Sequence, residues 1–322
     1  MMSIAVVVPL FNKRAFVLST VRALASQLGP RDELIIVDDC STDDGPAIVE
    51  SLSLDRVRVI RMGVNSGPAS ARNHGARQTT GEYVLFFDAD DIPHPRLLSH
   101  LRQCIARHPG ECVFAYELAF EAHGESMAFD DAEVAAPTPT KVLDQDEFVR
   151  SCLRGKPLCT ASSTCVRIKE FLLAGGFQPG LRYCEDPELW SRLSADHRIV
   201  HIGRALAVYR DVPMSQSYGL RAQPGSVHPY VKTLLGLSRQ PGDPYQRLAR
   251  SLITKNTVFS VSMGGSRSAI VAYLRSVRPA LTALHFAGLR VLALAPRALL
   301  RMPLALRARL ARMKLQTHSV DH

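Results

Sequence analysis

Residues 4–9, Ile-Ala-Val-Val-Val-Pro, form an unbroken apolar run rich in β-branched side chains. That pattern predicts a strand buried on both faces, as in a parallel sheet. Apolar positions then recur at Val17, Val21, Leu24 and Leu28, a helical spacing that stops at Gly29-Pro30. Residues 33–37 repeat the buried-strand pattern and run into a polar turn, Asp38-Asp-Cys-Ser-Thr-Asp-Asp44. A further helix follows, and residues 57–60 alternate as a strand. Residues 68–79 predict a helix with proline in its first turn and Gly81 beyond its end. Residues 83–87 are a fourth strand, cut off at Asp88-Ala-Asp-Asp91.

Strands alternating with helices at this spacing predict an α/β fold with a mostly parallel central sheet. Ligands of such sheets collect at the carboxyl ends of the strands. Three of those ends carry Pro9-Leu-Phe11, Asp38-Asp39 and Asp88-Ala-Asp90. Farther on, the pattern predicts a loop then a helix over 130–150, a strand at 162–168, and a short helix at 169–173 closed by Gly175-Gly176. Asp186-Pro187 opens another helix through Leu193. Residues 211–245, rich in Pro, Gly and Ser, read as a linker or lid, and helical periodicity returns at 245–262 and 266–277. The expected division is a main α/β domain at 1–215, a linker or lid at 216–245 and a helical basic C-terminal extension at 246–322.

Composition sharpens this picture. Of 322 residues, 46% are hydrophobic and 21% charged, enough to bury a sizeable core. The net charge of +9 is uneven: nine basic residues and no acid lie between Arg275 and Lys314. The charge therefore belongs to the C-terminus and says little about the main domain's ligand. Seven cysteines, without a C-x-x-C pair, argue against a disulfide framework or structural zinc and for a reducing, cytoplasmic setting. The first residues lack a basic stretch and cleavage site, and no apolar run reaches the roughly 18 residues of a membrane span.

Four segments carry candidate chemistry. In extended chain, carboxylates at i and i+2 share a face, so Asp88 and Asp90 converge and call for a cation, with hard oxygens favouring Mg²⁺ or Mn²⁺. The plainer reading is an acidic turn ending a strand. Asp38 and Asp39 could accept hydrogen bonds from a nucleobase or sugar, with Phe11 stacking nearby; they could equally cap the next helix. Asn65-Ser-Gly-Pro-Ala-Ser-Ala-Arg-Asn73 leads into a helix N-terminus, an anion site within reach of Arg72, although Gly67-Pro68 would also simply fix the turn. In Cys184-Glu-Asp-Pro-Glu-Leu-Trp190, Asp186 is either the helix N-cap or a general base. A capping carboxylate would have a lowered pKa, which weakens it as a base.

In order, these segments resemble the inverting family 2 glycosyltransferases of the GT-A fold. The resemblance runs through Val7-Val-Pro-Leu-Phe-Asn12, Ile36-Val-Asp-Asp-Cys-Ser-Thr-Asp43, Asn65 to Asn73, Gly81-Glu-Tyr-Val-Leu-Phe-Phe-Asp-Ala-Asp-Asp91 and Glu185-Asp-Pro-Glu-Leu-Trp190. It implies a GT-A nucleotide-binding sandwich with Pro9, Phe11, Asp38 and Asp39 around the nucleoside, Asp39 facing the base. It further implies Arg72 near the diphosphate, Asp88 at the ribose or sugar, Asp90 with Asp88 at a Mn²⁺ or Mg²⁺ ion, and Asp186 as catalytic base. The donor would be a nucleoside-diphosphate sugar, a UDP-sugar foremost, and the acceptor a saccharide or lipid-linked hydroxyl in bacterial surface polysaccharide or glycolipid synthesis.

Two departures from the family pattern stand out. Tyr209-Arg210 is followed by Asp211-Val-Pro-Met rather than a nearby histidine, which leaves a third metal ligand unassigned. A Gln-x-x-Arg-Trp motif is absent, which points to single addition rather than polymerisation. The rival readings are a degenerate nucleotide-sugar-binding protein and another nucleotidyl enzyme of the same plan. The arginine-studded stretch 285–315 fits a helix packed on the domain or a peripheral contact with an anionic membrane. With few aromatics it is not expected to bind nucleic acid.

Overall fold

The computed structural model describes residues 2–121, 129, 138–154, 158–181, 184–210, 227–262 and 266–294. The chain divides into two compact units, Met1–Leu220 and Arg221–His322. In the first, β1 (Ile4–Leu10), α1 (Arg14–Ala25), β2 (Glu33–Asp38), α2 (Gly45–Ser51), β3 (Val57–Arg61), α3 (Pro68–Arg77) and β4 (Tyr83–Phe86) alternate as the periodicity predicts. Strands β3, β2, β1 and β4 lie side by side in that order, all parallel. Ile4, Val6, Val8, Leu34 and Ile36 are fully buried, as continuous apolar runs require when helices cover both faces. Each such side chain contributes roughly 1.5–3 kcal/mol by leaving water.

Past β4 the sheet becomes mixed. Strands β5 (Ile92–Pro93), β6 (Val113–Phe120), β7 (Thr140–Leu143), β8 (Thr164–Arg167) and β9 (Ile199–Tyr209) complete it. β8 runs antiparallel to β4 and β6, β9 parallel to β6, and β5 and β7 antiparallel to β9. The parallel half is thus the half the pattern predicted most clearly. Helix α4 (Leu97–Arg107) precedes β6, and α5 (Gln145–Leu153) opens on a capping box of Asp144 and Glu147. α6 (Ile168–Leu173) and α7 (Glu185–Asp196) fall where short helices were expected.

One close approach fixes α3 on the sheet. A Cβ on Gly75 would stand 2.5 Å from Val7 Cγ1 and 2.9 Å from Val37 Cγ2, so the helix lies directly on β1 and β2. That contact sets the position of Arg72, one turn earlier.

The second unit contains α8 (Pro229–Leu237), α9 (Pro244–Ser262), α10 (Arg267–Ser276) and α11 (Ala283–Leu294). Helix α8 falls inside the stretch 216–245 expected to be linker or lid. Pro229 sits in its first turn, where a missing N–H costs nothing, and His228 Nδ1 accepts from Tyr230 N at 3.2 Å. Proline there starts a helix rather than breaking one. All of 211–226, and 295–315 within the stretch 285–315, lie outside the described residues. No described helix is long and apolar enough to cross a membrane.

Candidate active site

Parallel pairing brings the carboxyl ends of β1, β2 and β4 to one edge. Leu10 pairs with Asp38 and Val7 with Phe86, and backbone bonds continue past the strands from Asp39 N to Leu10 O and from Phe87 N to Val7 O. Pro9, Asp38 and Asp88 therefore leave the sheet on the same side.

At the centre lies Arg72, 4% exposed, on the second turn of α3. Its Nη2 donates to Asp88 Oδ1 at 2.6 Å, and its Nη1 lies 3.5 Å from Glu185 Oε1 and 4.0 Å from Asp186 Oδ1. The guanidinium also stands over the Phe177 ring, 5.4 Å from its centroid. Burial works against the Arg72 charge, but Asp88, Asp186 and Glu185 outweigh it and raise its pKa. Arg72 thus joins the end of β4 to the start of α7, far apart in sequence.

Asp186 is not the N-cap of α7. Cys184, in the left-handed region at φ 61°, occupies that place without a side-chain cap. Asp186 lies within the first turn, where its Oδ2 accepts from Ala161 N at 2.8 Å. Its Oδ1 is buried with no hydrogen bond, although the side chain as a whole keeps 22% of its surface. Burial, with Glu185 and Asp88 adding negative charge, pushes its pKa up to about 7, against the pull of Arg72 and the Ala161 amide. The lowered pKa expected of a capping carboxylate does not arise, because desolvation dominates.

Asp90 meets Lys13, whose ammonium pairs with Asp90 Oδ2. Asp91, which sequence reasoning did not single out, is 1% exposed, with Oδ2 unpartnered and Oδ1 accepting from Arg210 N at 3.3 Å. Burial, then the charge of Asp88, raises its pKa well above the carboxylate range. Ser162 Oγ accepts from Asp88 N at 2.9 Å and fixes the turn.

Asp38 and Asp39 form a separate group. Both Asp39 oxygens accept backbone amides, Oδ1 from Ser66 and Oδ2 from Gly67, each at 2.7 Å. Its carboxylate therefore ties β2 to the loop that enters α3. Asp38 Oδ1 accepts from Ser41 N at 2.8 Å. Asn12, at φ 52°, bridges the loops after β1 and β2 by accepting from Thr42 N at 2.8 Å. Phe11 is 37% exposed and Pro9 half-buried. The capping role considered for Asp38 and Asp39 at α2 goes instead to the chain around Asp43 and Asp44, where Asp43 Oδ1 accepts from Gly45 N at 3.0 Å.

A further clamp had no sequence signal beyond paired glycines. Asn73 Nδ2 donates to Phe177 O at 2.7 Å and its Oδ1 accepts from Phe177 N at 2.9 Å. A Cβ on Gly176, at φ 69°, would meet Asn73 Oδ1 at 2.4 Å. Phe177 packs edge-on against Trp190 and Phe86, so the clamp holds α3, β4 and α7 together behind Arg72.

Comparison with known proteins follows the same lines. Residues 5–119 match the family described as glycosyl transferase family 2. The putative teichuronic acid biosynthesis glycosyltransferase TuaG of Bacillus subtilis is 39% identical over 141 residues, covering 40% of this chain and 56% of that protein. The chain spans between 13% and 61% of the length of the curated relatives it matches. Among solved structures, S. aureus TarS 1-349 in complex with UDP-GlcNAc superposes with a TM-score of 0.70 at 17% identity, covering 93% of this chain and 90% of that one. The mannosyltransferase PcManGT of Pyrobaculum calidifontis, in complex with GDP-Man and Mn²⁺, gives 0.53 at 16% identity over 92% and 86%. These structural likenesses establish the fold.

Proposed function

We propose, from a chain that residues 5–119 make a member of glycosyl transferase family 2, that it moves one sugar from a nucleoside-diphosphate sugar to an acceptor hydroxyl with inversion. The observation that carries this reading is the Asp186 carboxyl, largely desolvated, without a hydrogen bond at Oδ1 and pushed up to a pKa of about 7, 4.0 Å from the Arg72 guanidinium that pairs with Asp88. A carboxylate of that basicity accepts a proton from an attacking hydroxyl far better than an ordinary aspartate. Arg72 pairs with Asp88 and would be the buried cation for a donor's diphosphate. Asp38, Asp39, Pro9 and Phe11 form the nucleoside end of the site. We favour a UDP-sugar as donor, which agrees with the UDP-GlcNAc bound by TarS, and a saccharide or lipid-linked acceptor in cell-surface polysaccharide synthesis.

A divalent ion fits the residues present. Asp90 already draws a cation, the Lys13 ammonium, and Asp88 stands two residues away. Among the described residues no three acidic, His or Cys side chains converge as a cage; Mg²⁺ or Mn²⁺ held largely by substrate phosphates needs only one or two carboxylates. Asp90, with Asp88, would hold the ion, which when bound supplies charge neutralisation for the departing diphosphate.

The test separates binding from transfer. Asp90→Ala should abolish metal-dependent nucleotide binding. Asp186→Asn should keep that binding and lose transfer by about 10²–10⁴-fold. Transfer retained by Asp186→Asn would refute the base assignment.

A further inference from the structure

From residue 244 to residue 320 the chain has thirteen Lys or Arg and no Asp or Glu. Within that acid-free stretch, α11 turns Leu289 and Ala293 inward, 5% and 1% exposed. Its opposite face is also apolar. Leu284, Val291 and Leu294 are 85%, 70% and 55% exposed. With exposed Ala287 and Gly288 between them, they make one continuous stripe at helical spacing. A helix apolar on both faces has a second non-aqueous neighbour to satisfy.

The rim of the stripe says what that neighbour is. The Arg278 guanidinium stands 4.4 Å from the Phe286 ring centroid and the Arg290 guanidinium 5.9 Å from the same ring. One half-buried aromatic side chain thus gathers two exposed cations on the flank of α11, between its buried side and the stripe, in a stretch that offers no carboxylate to neutralise them. Like charges held together favour an anion between them, and guanidinium forks match phosphate oxygens. An apolar stripe edged by phosphate-binding arginines is the pattern of an interfacial helix. A second copy of the chain would bring the same acid-free surface against itself. A nucleic acid would have no use for exposed Leu and Val.

We infer that α11 docks in the headgroup region of a bilayer containing anionic phospholipid, with Leu284, Val291 and Leu294 among the acyl chains and Arg278 and Arg290 on lipid phosphates. This narrows a membrane contact from the basic tail in general to one helix face, and it does not depend on the catalytic reading. The experiment is co-sedimentation of the full chain with phosphatidylcholine vesicles, with and without phosphatidylglycerol. The parent should bind only vesicles containing phosphatidylglycerol, and less as salt rises. The pair Leu284→Glu, Val291→Glu should lose binding by more than about tenfold. The pair Arg278→Gln, Arg290→Gln should lose about fivefold per arginine. All four positions are exposed, so melting temperatures should match the parent's; should the acidic pair unfold, the glutamine pair still decides. No binding by the parent, or undiminished binding by either pair, overturns the inference. So does a parent dimer that the Leu/Val pair dissociates, or binding of single-stranded RNA in place of vesicles.

Discussion

The raised pKa of Asp186 has two separable consequences. In its proposed role as base it would have to be ionised, so transfer should rise with pH through about 7 and level off above it. For stability the sign is opposite. The native state resists ionising a group that the unfolded chain ionises near its ordinary value of 3.8, so stability falls as pH rises between those values. Asp186→Asn should therefore melt higher than the parent at pH 8, by about 1–3 kcal/mol, and about the same at pH 3. Equal melting at both would mean the carboxyl is not desolvated as described. His100 behaves in the complementary way. It is 5% exposed, with Nδ1 2.9 Å from Thr138 Oγ1 and Nε2 3.4 Å from Arg204 Nη1. Burial and then Arg204 lower its pKa to about 4. The unfolded chain takes up this proton near 6.5 and the native one does not, so stability should fall as pH drops from about 6.5 to 4. His100→Gln should blunt that fall, measured by melting temperature across the range.

At the scale of elements, what was legible depended on whether local pattern and tertiary need agreed. The strands β1, β2, β3 and β4 and helix α3 show in the sequence because burial on both faces demands unbroken β-branched runs, and Gly and Pro punctuate them. Neither α4 nor the long strands β6 and β9 were predicted; β9 includes Gly203 and Arg204, which interrupt its apolar pattern. The polar end of the site was equally legible, since Asp38, Asp88 and Asp90 sit at strand ends. Its connections were not: the Arg72 pairing with Asp88 and Glu185 spans 16 and 113 residues, and Lys13 reaches Asp90 across 77. The sequence leaves Asp186 as either N-cap or base, because Asp-Pro usually caps, and only the fold shows the cap position taken by Cys184. The Asn73–Phe177 clamp belongs to this scale. Gly176→Ala should cost about 1–3 kcal/mol from the left-handed backbone and the close Asn73 contact. Gly75→Ala should cost a similar amount by lifting α3 from the sheet. Both are read by chemical denaturation, and a neutral result at Gly75 would mean α3 is not seated as described.

At the scale of the whole molecule, the proposed nucleotide site lies at one edge of the α/β sheet in the first unit, and the second unit is basic and apolar. In the proposed function this edge would supply the parts that a sugar transfer needs: Asp186 as base, Arg72 as the cation for a diphosphate, and Asp88 and Asp90 as carboxylates for a divalent ion. The most direct test of this central claim is a thermal-shift series on the full chain with UDP, GDP, dTDP and CDP, each with and without Mn²⁺. A ligand that binds only the native state raises apparent stability, by about 2.7 kcal/mol at a hundred times its dissociation constant. One nucleoside diphosphate, UDP foremost, should raise the melting temperature only when Mn²⁺ is present, and Asp90→Ala should remove the shift. No shift with any of the four, with or without the metal, would contradict it.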